Sequence, residues 1–155
     1  MLKNALKAIV IILPLVWVGM IGGISFIEAP LKFQAPGITL ALGLGIGKLV
    51  FGLMNKIEWV FCITWLVSSF APRKPNTDIA LPIIVTIILV LQTVWLLPVL
   101  DNRAAQVIAG TQGLKTSSPH IYYIAAEAMK MILLLGGATL SLYQIIKLQG
   151  SSSNQ

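Results

Sequence analysis

The sequence predicts an all-α membrane protein, in which four transmembrane helices form a bundle and an interfacial or re-entrant helix precedes the second span. Three observations support this fold class: 57% of the 155 residues are hydrophobic, only 10% are charged, and the mean hydropathy is +0.89. A soluble domain carries about 25% charged residues. The chain therefore has too little polar surface for a soluble enzyme, a nucleic-acid-binding domain or a disordered chain.

Four apolar stretches are long enough to cross a bilayer, which takes about 20 apolar residues in a helix. They cover approximately residues 8–27, 55–71, 79–100 and 121–147 of a single domain spanning 1–155. The first follows Lys3 and Lys7, as a signal peptide would. Its apolar run is longer than the usual maximum of about 15 residues, and no clear A-x-A cleavage site follows. We interpret it as a retained span, with a cleaved signal as the alternative.

The second span is preceded by a long stretch without proline. Gly37 to Phe70 comprises 34 residues, which as a straight helix would be about 51 Å long at 1.5 Å per residue. The hydrocarbon core is only about 30 Å thick. We therefore predict a break near Met54–Lys56 and an interfacial or re-entrant segment over 37–54. Its glycines suit close packing against neighbouring helices.

Basic residues indicate the orientation, because cytoplasmic loops are enriched in Lys and Arg. Four spans place both termini on one side, which is predicted to be the cytoplasmic side of a cell (inner) membrane. The net charge of +6 is then explained by the lipid bilayer as partner, without nucleic acid. The side with the termini carries Lys3, Lys7, Arg73, Lys74 and Lys147 against a single acid, Asp78.

The fourth span contains polar residues at helical spacing. His120, Tyr123, Glu127 and Lys130 follow intervals of 3, 4 and 3 residues, which place them on one face. Glu127 and Lys130 are predicted to pair. The pattern has two interpretations: a structural ion pair with an interfacial histidine, or a site for a ligand, a proton or an ion. Ionisable groups within a span are costly and usually face a bundle interior or water.

A second polar face is predicted around the start of the second span. Lys48, Asn55, Glu58 and Cys62 follow intervals of 7, 3 and 4 residues. A buried carboxylate needs a partner, and Lys48 or Lys56 are the candidates for Glu58. Asn55 is expected to hydrogen-bond across helices, as amides in membrane bundles do.

Further charges lie where the first and third spans end. Glu28 and Lys32 are expected to form a salt bridge in a hairpin, since Pro30 and Pro36 disfavour a continuous helix there. We hypothesise that these charges join the others in one mixed-charge cluster near the non-cytoplasmic face. The candidate ligand- or ion-binding residues are Glu58, Glu127, Asn55, Lys48, Lys130, His120, Glu28, Lys32, Asp101 and Arg103.

No metal, cofactor or catalytic site is predicted. The single histidine and single cysteine show no metal-ligand spacing, and Gly43–Lys48 lacks the spacing of a phosphate-binding loop and its Ser/Thr. Gly19-x-x-x-Gly23 and Gly43-x-x-x-Gly47 match a close-packing pattern. Such packing joins helices of one chain, of a homo-oligomer, or of a membrane complex with a partner protein.

Residues Gly22–Phe33 resemble the first-span exit of a group of uncharacterised four-span bacterial membrane proteins, related to a eukaryotic transmembrane family linked to platinum-drug resistance. In that group a Pro-x-x-Phe element closes the first span, a glycine-bearing amphipathic segment follows, and an Asn lies near the start of the second span. Pro30–Phe33, Gly37–Phe51 and Asn55 are similar, as is His120 at the opening of the last span. The resemblance implies the four-span architecture and no particular reaction.

A second resemblance implies an enzyme. Asn55-Lys-Ile-Glu58 is similar to the Asn-x-x-Glu signature of the membrane glutathione-transferase and eicosanoid enzyme family, which is also four-span. The Arg-rich run that precedes that Asn in the family is absent here. The sequence thus predicts a ligand- or ion-binding or transport-associated membrane protein, with a glutathione-transferase-like enzyme and a structural subunit of a membrane complex as alternatives.

Overall fold

The computed structural model describes residues 2–70, 79–111 and 118–152, which form four long helices. The first combines Leu2–Ile21, a π-helical segment Gly22–Glu28, a short turn Ala29–Leu31 and a 3₁₀ turn Lys32–Gln34. The second is Leu40–Phe70. The third combines Ala80–Leu91, a π-helical segment Gln92–Leu96 and Leu97–Ile108, and the fourth is Ser118–Ser152. For the described residues the predicted all-α architecture is confirmed.

Each helix contains a stretch long and apolar enough to cross a membrane. These stretches are Ala8–Gln34, Leu40–Phe70, Ala80–Ile108 and Pro119–Lys147. Many large apolar side chains face outward, including Leu49 and Val94 with 77% and 73% of their surface exposed. This exterior fits a lipid environment. The orientation residues Arg73, Lys74 and Asp78 lie outside the described residues.

Successive helices run in opposite directions. Between the first and second helices, contacts pair Trp17 with Glu58 and Ser25 with Met54, so that one residue number rises as the other falls. The contacts Asn55–Thr93 and Cys62–Thr86 show the same reversal between the second and third helices, and Gln92–Glu127 and Trp95–Tyr122 show it between the third and fourth. The first helix packs extensively on the fourth, and the second packs extensively on the third. The apolar core consists of Val10, Trp17, Ile21, Cys62, Trp65, Val85, Leu89 and Leu134.

The second helix is continuous, so the predicted break near Met54–Lys56 is wrong. Residues 40–54 are the first half of this helix and not a separate one. The stretch contains no proline, and a helix satisfies all its backbone groups internally, which an interrupted segment in lipid cannot do. Its 31 residues give a length of about 47 Å. The helix therefore exceeds a bilayer core in length, and does not break to fit it.

Gly43 and Gly47 form a groove that receives the end of the first helix. A Cβ atom at Gly43 would lie 2.7 Å from Cδ1 of Phe33, and one at Gly47 would lie 3.1 Å from Nζ of Lys32. The Gly43-x-x-x-Gly47 pattern therefore joins helices of one chain. Gly19 and Gly23 are different: both are exposed, and no described side chain lies within 4 Å of a Cβ built there.

Gly43→Ala is expected to lower stability by about 1 kcal/mol, because the added methyl group overpacks against Phe33. The cost is limited since Phe33 is 41% exposed and its ring can swing outward. Gly45→Ala is the matched control, since its Cβ would meet no atom within 4 Å. Thermal unfolding of both variants in detergent checks this. Equal midpoints for the two variants would contradict the groove.

Both π-helical segments end two residues before a proline. The first ends at Glu28, before Pro30, and the second ends at Leu96, before Pro98. Proline lacks an N–H group and its ring clashes with the carbonyl one turn earlier. A wider π turn at that place relieves the clash, so the helices continue past the prolines. The hairpin expected at Glu28–Lys32 is therefore wrong: these residues are helical.

Candidate functional site

Three charged side chains meet in the middle of the bundle. Lys130 Nζ donates to Oε1 of Glu58 and to Oε1 of Glu127, the latter at 3.2 Å. All three side chains have 0% exposure. We call these residues the triad. The predicted Glu127–Lys130 pair is confirmed, because residues three apart share a helical face.

The partner of Glu58 differs from the prediction. Lys48 and Lys56 are both exposed, whereas Lys130 approaches Glu58 from the fourth helix. Lys48 and Lys56 project from the surface because the second helix turns Glu58 inward, together with Asn55. Lys56 is two residues from Glu58 and so lies on another face of the helix, and the residue that neutralises Glu58 comes from the fourth helix.

The other two helices contribute neutral donors to the triad. Trp17 Nε1 on the first helix donates to Glu58 Oε1 at 2.9 Å, and Gln92 Nε2 on the third helix donates to Glu127 Oε1 at 2.9 Å. Every one of the four helices therefore supplies a side chain to this layer. The network therefore connects all four helices at one level of the bundle.

The triad is incompletely satisfied. Glu58 Oε2, Glu127 Oε2 and Gln92 Oε1 are buried and have no hydrogen-bond partner. With all groups ionised, two carboxylates and one ammonium group carry a formal charge of −1. An uncompensated charge removed from water costs several kcal/mol. The arrangement therefore lacks one positive charge and the donors for three oxygen atoms.

A second polar contact lies one helical turn from Glu58. Asn55 Nδ2 and Trp59 Nε1 both donate to Thr93 Oγ1 at 3.0 Å, and Thr93 Oγ1 is 2.8 Å from the Leu89 carbonyl oxygen. The prediction that Asn55 hydrogen-bonds across helices is confirmed. This contact fixes the second helix against the third.

Thr93→Val is expected to lower stability by about 1–2 kcal/mol, because it keeps the shape of the side chain and removes the acceptor of two partly buried donors. Thr64→Val is the control: its hydroxyl donates only to Val60 O of its own helix. Unfolding of both variants in detergent measures the difference. A cost for Thr93→Val no larger than for the control would contradict the contact.

The remaining candidate residues do not join the triad, so the hypothesis of one mixed-charge cluster is wrong. Glu28 and Lys32 form their own ion pair at 3.4 Å, as predicted. Lys32 also lies over the Phe33 and Phe51 rings, 5.7 and 5.5 Å from their centroids. Lys48 interacts electrostatically with Asp101. Arg103 and His120 are exposed.

These charges are separated from the triad by aromatic packing. Tyr123 lies one turn before Glu127 and is 5% exposed, with its ring in edge contact with Phe51 at 5.6 Å between centroids. Lys32 Nζ lies 5.5 Å from the centroid of the same Phe51 ring. Two aromatic rings therefore intervene in the contacts that lead from Lys32 to the helical turn of Glu127, which the spacing along the chain does not indicate.

Comparison with protein-family models, curated proteins and solved structures gives no match to this chain. The two family resemblances therefore stay predictions. Among the described residues, no three His, Cys, Asp or Glu side chains converge as they would around a metal ion. The candidate site is thus characterised by its own geometry.

Trp17, Gln92 and Thr93 belong to these contacts and are absent from the sequence-based set. Gln92 and Thr93 are adjacent polar residues inside the apolar third span, and amides and hydroxyls in such spans usually hydrogen-bond across helices. The pattern therefore indicates an interhelical contact at Gln92 and Thr93. The indication for Trp17 is weaker, because tryptophan is common both at membrane interfaces and in packed cores.

Proposed function

We propose that this chain is an integral protein of the cell membrane that binds a small cation at the triad, in association with transport. The observation that carries the proposal is the missing positive charge beside Glu58, Glu127 and Lys130, whose side chains are fully buried. Ionisable residues within membrane spans are costly and are characteristic of ion pathways and proton relays.

A purely structural role explains the triad less well. A structural polar layer is stabilising when all its members are satisfied, and a half-satisfied one is worse than an apolar core. Here three oxygen atoms remain without a donor. A bound cation satisfies oxygen atoms and charge together, which packing alone does not.

The enzyme alternative has little support from the geometry. Asn55 and Glu58, which carry the resemblance to the glutathione-transferase family, are bound to side chains of other helices. Neither residue lines the cavity of about 10 Å³ formed by Trp65, Ser69, Ser141 and others, which has room for about one water molecule.

The position of the triad suits a transport-associated site. Glu58 lies 12 residues before the end of the second helix at Phe70, or about 18 Å along the axis. That places it near the midplane of a core about 30 Å thick. The basic residues predict that both termini lie on the cytoplasmic side.

Charge displacement on a solid-supported membrane tests the proposal. Purified protein in liposomes is exposed to steps of Na⁺, of K⁺ and of pH, and the transient current is recorded. We expect a current for at least one cation in the wild type, and its loss in Glu58→Gln and Glu127→Gln. Glu28→Gln and Asp101→Asn are controls outside the triad and keep the current. Absence of a current for all three steps, or its persistence in both triad variants, contradicts the proposal.

A further inference from the structure

We infer that the cation is a proton, held by one of the two carboxyl groups of Glu58 and Glu127. The inference rests on the proposed function and specifies its substrate. With one proton bound, the triad contains one carboxylate, one carboxylic acid and one ammonium group, and its net charge is zero.

Space favours a proton over a metal cation. The three side chains of the triad have 0% exposure, and the fully buried Trp17 and nearly fully buried Gln92 adjoin them. Alkali and alkaline-earth cations require a shell of several oxygen ligands, often including water. Only three oxygen atoms of the network lack a partner, and Lys130 already occupies the position between the carboxylates. A proton needs no additional volume.

Hydrogen bonding favours a proton as well. The three unpartnered atoms, Glu58 Oε2, Glu127 Oε2 and Gln92 Oε1, are all acceptors. Protonation of either carboxyl group converts one acceptor into an O–H donor. Burial also disfavours a second unpaired carboxylate, since a group that cannot be neutralised by a partner takes up a proton.

The charged and titratable groups around the triad leave its net charge of zero, with one proton bound, unchanged. From the fourth helix Tyr123 faces the triad and interacts first with Glu127 and then with Glu58, and from the second helix Cys62 interacts with Glu58 and Lys130. Both side chains are neutral in their ordinary protonated forms. Asp101 acts on Tyr123 from the third helix and is itself opposed by Lys48. The first helix contributes the neutral indole of Trp17.

The inference gives a rule for counting protons in variants. Glu58→Gln or Glu127→Gln leaves one carboxylate opposite Lys130, which is neutral without a proton. Lys130→Met leaves two carboxyl groups without a cation, and both take up protons. The number of buried carboxylic acids is therefore one in the wild type, zero in either glutamine variant and two in the methionine variant.

Infrared spectroscopy of the protein in liposomes tests this rule. A protonated carboxylic acid has a C=O stretching band separate from that of a carboxylate, and the band shifts in D₂O. At neutral pH we expect this band in the wild type, its loss in Glu58→Gln and in Glu127→Gln, and about twice its intensity in Lys130→Met. Glu28→Gln and Asp101→Asn are controls and leave the band unchanged. The wild-type and glutamine spectra decide the question even where Lys130→Met does not fold.

The outcomes separate this inference from the proposed function. A wild-type band that is absent at neutral pH, or that persists in both glutamine variants, overturns the inference. A current after a Na⁺ or K⁺ step, with none after a pH step, also overturns it and leaves the proposed cation site intact. No current after any step contradicts the proposed function itself. The band together with a current after a pH step supports both.

Discussion

Replacing Lys130 with methionine is expected to lower the free energy of unfolding by about 3–5 kcal/mol, the cost of breaking a buried ion pair by removing one partner. Lys130 is the cation that faces both Glu58 and Glu127. Methionine has a similar length and leaves no large cavity, so the loss measures the charge. Unfolding in mixed micelles of a mild and a denaturing detergent provides the measurement.

The cost of Lys130→Met should fall as the pH is lowered. The folded variant takes up protons on two buried carboxyl groups that are ionised in the unfolded chain. Because the folded state then binds more protons than the unfolded state, the free energy of unfolding rises as the pH is lowered. Lys56→Met is the matched control, because Lys56 is exposed, and its effect should stay within about 0.5 kcal/mol. Equal effects of the two substitutions would contradict the buried triad.

Gly137→Ala is expected to be the most destabilising small substitution, at about 2–3 kcal/mol. A Cβ atom there would lie 2.8 Å from Cζ2 of Trp65. Trp65 is 2% exposed and packs in the core, so its ring cannot swing outward from the bundle to relieve the contact. In this respect it differs from the half-exposed Phe33 opposite Gly43.

The adjacent glycine provides the control for Gly137→Ala. A Cβ atom at Gly136 would meet no atom within 4 Å, and alanine favours a helix over glycine by about 1 kcal/mol. Gly136→Ala should therefore be neutral or stabilising in the same detergent unfolding experiment. If Gly137→Ala were tolerated equally well, the packing of the fourth helix on Trp65 would be wrong.

Local patterns in the sequence predicted the local features of the structure. The four long apolar helices were predictable, because each corresponds to one continuous run of apolar residues in the sequence. The Glu127–Lys130 pair was predictable because both residues lie on one helix. The salt bridge between Glu28 and Lys32 was predictable for the same reason, although the hairpin expected around it was wrong.

Contacts between helices were not predictable from spacing. Glu58 and Lys130 are 72 residues apart. The spacing of polar residues within one helix does not indicate which other helix packs against it. The break expected near Met54 assumed that a helix must match the thickness of the bilayer, whereas a continuous helix can extend past it. Glycine spacing was equally ambiguous: Gly43 and Gly47 receive another segment, and Gly19 and Gly23 remain exposed.

A double-mutant cycle between Glu58 and Lys130 tests the central claim, that these two residues form the buried contact which joins the second and fourth helices. Unfolding free energies are measured for Glu58→Gln, Lys130→Met and the double variant under one detergent condition. Residues in direct contact show coupling of about 0.5–3 kcal/mol. We predict a coupling of at least about 1 kcal/mol, with the double variant less destabilised than the sum of the single variants. Additive effects, within about 0.3 kcal/mol, would contradict the triad and the function proposed for it.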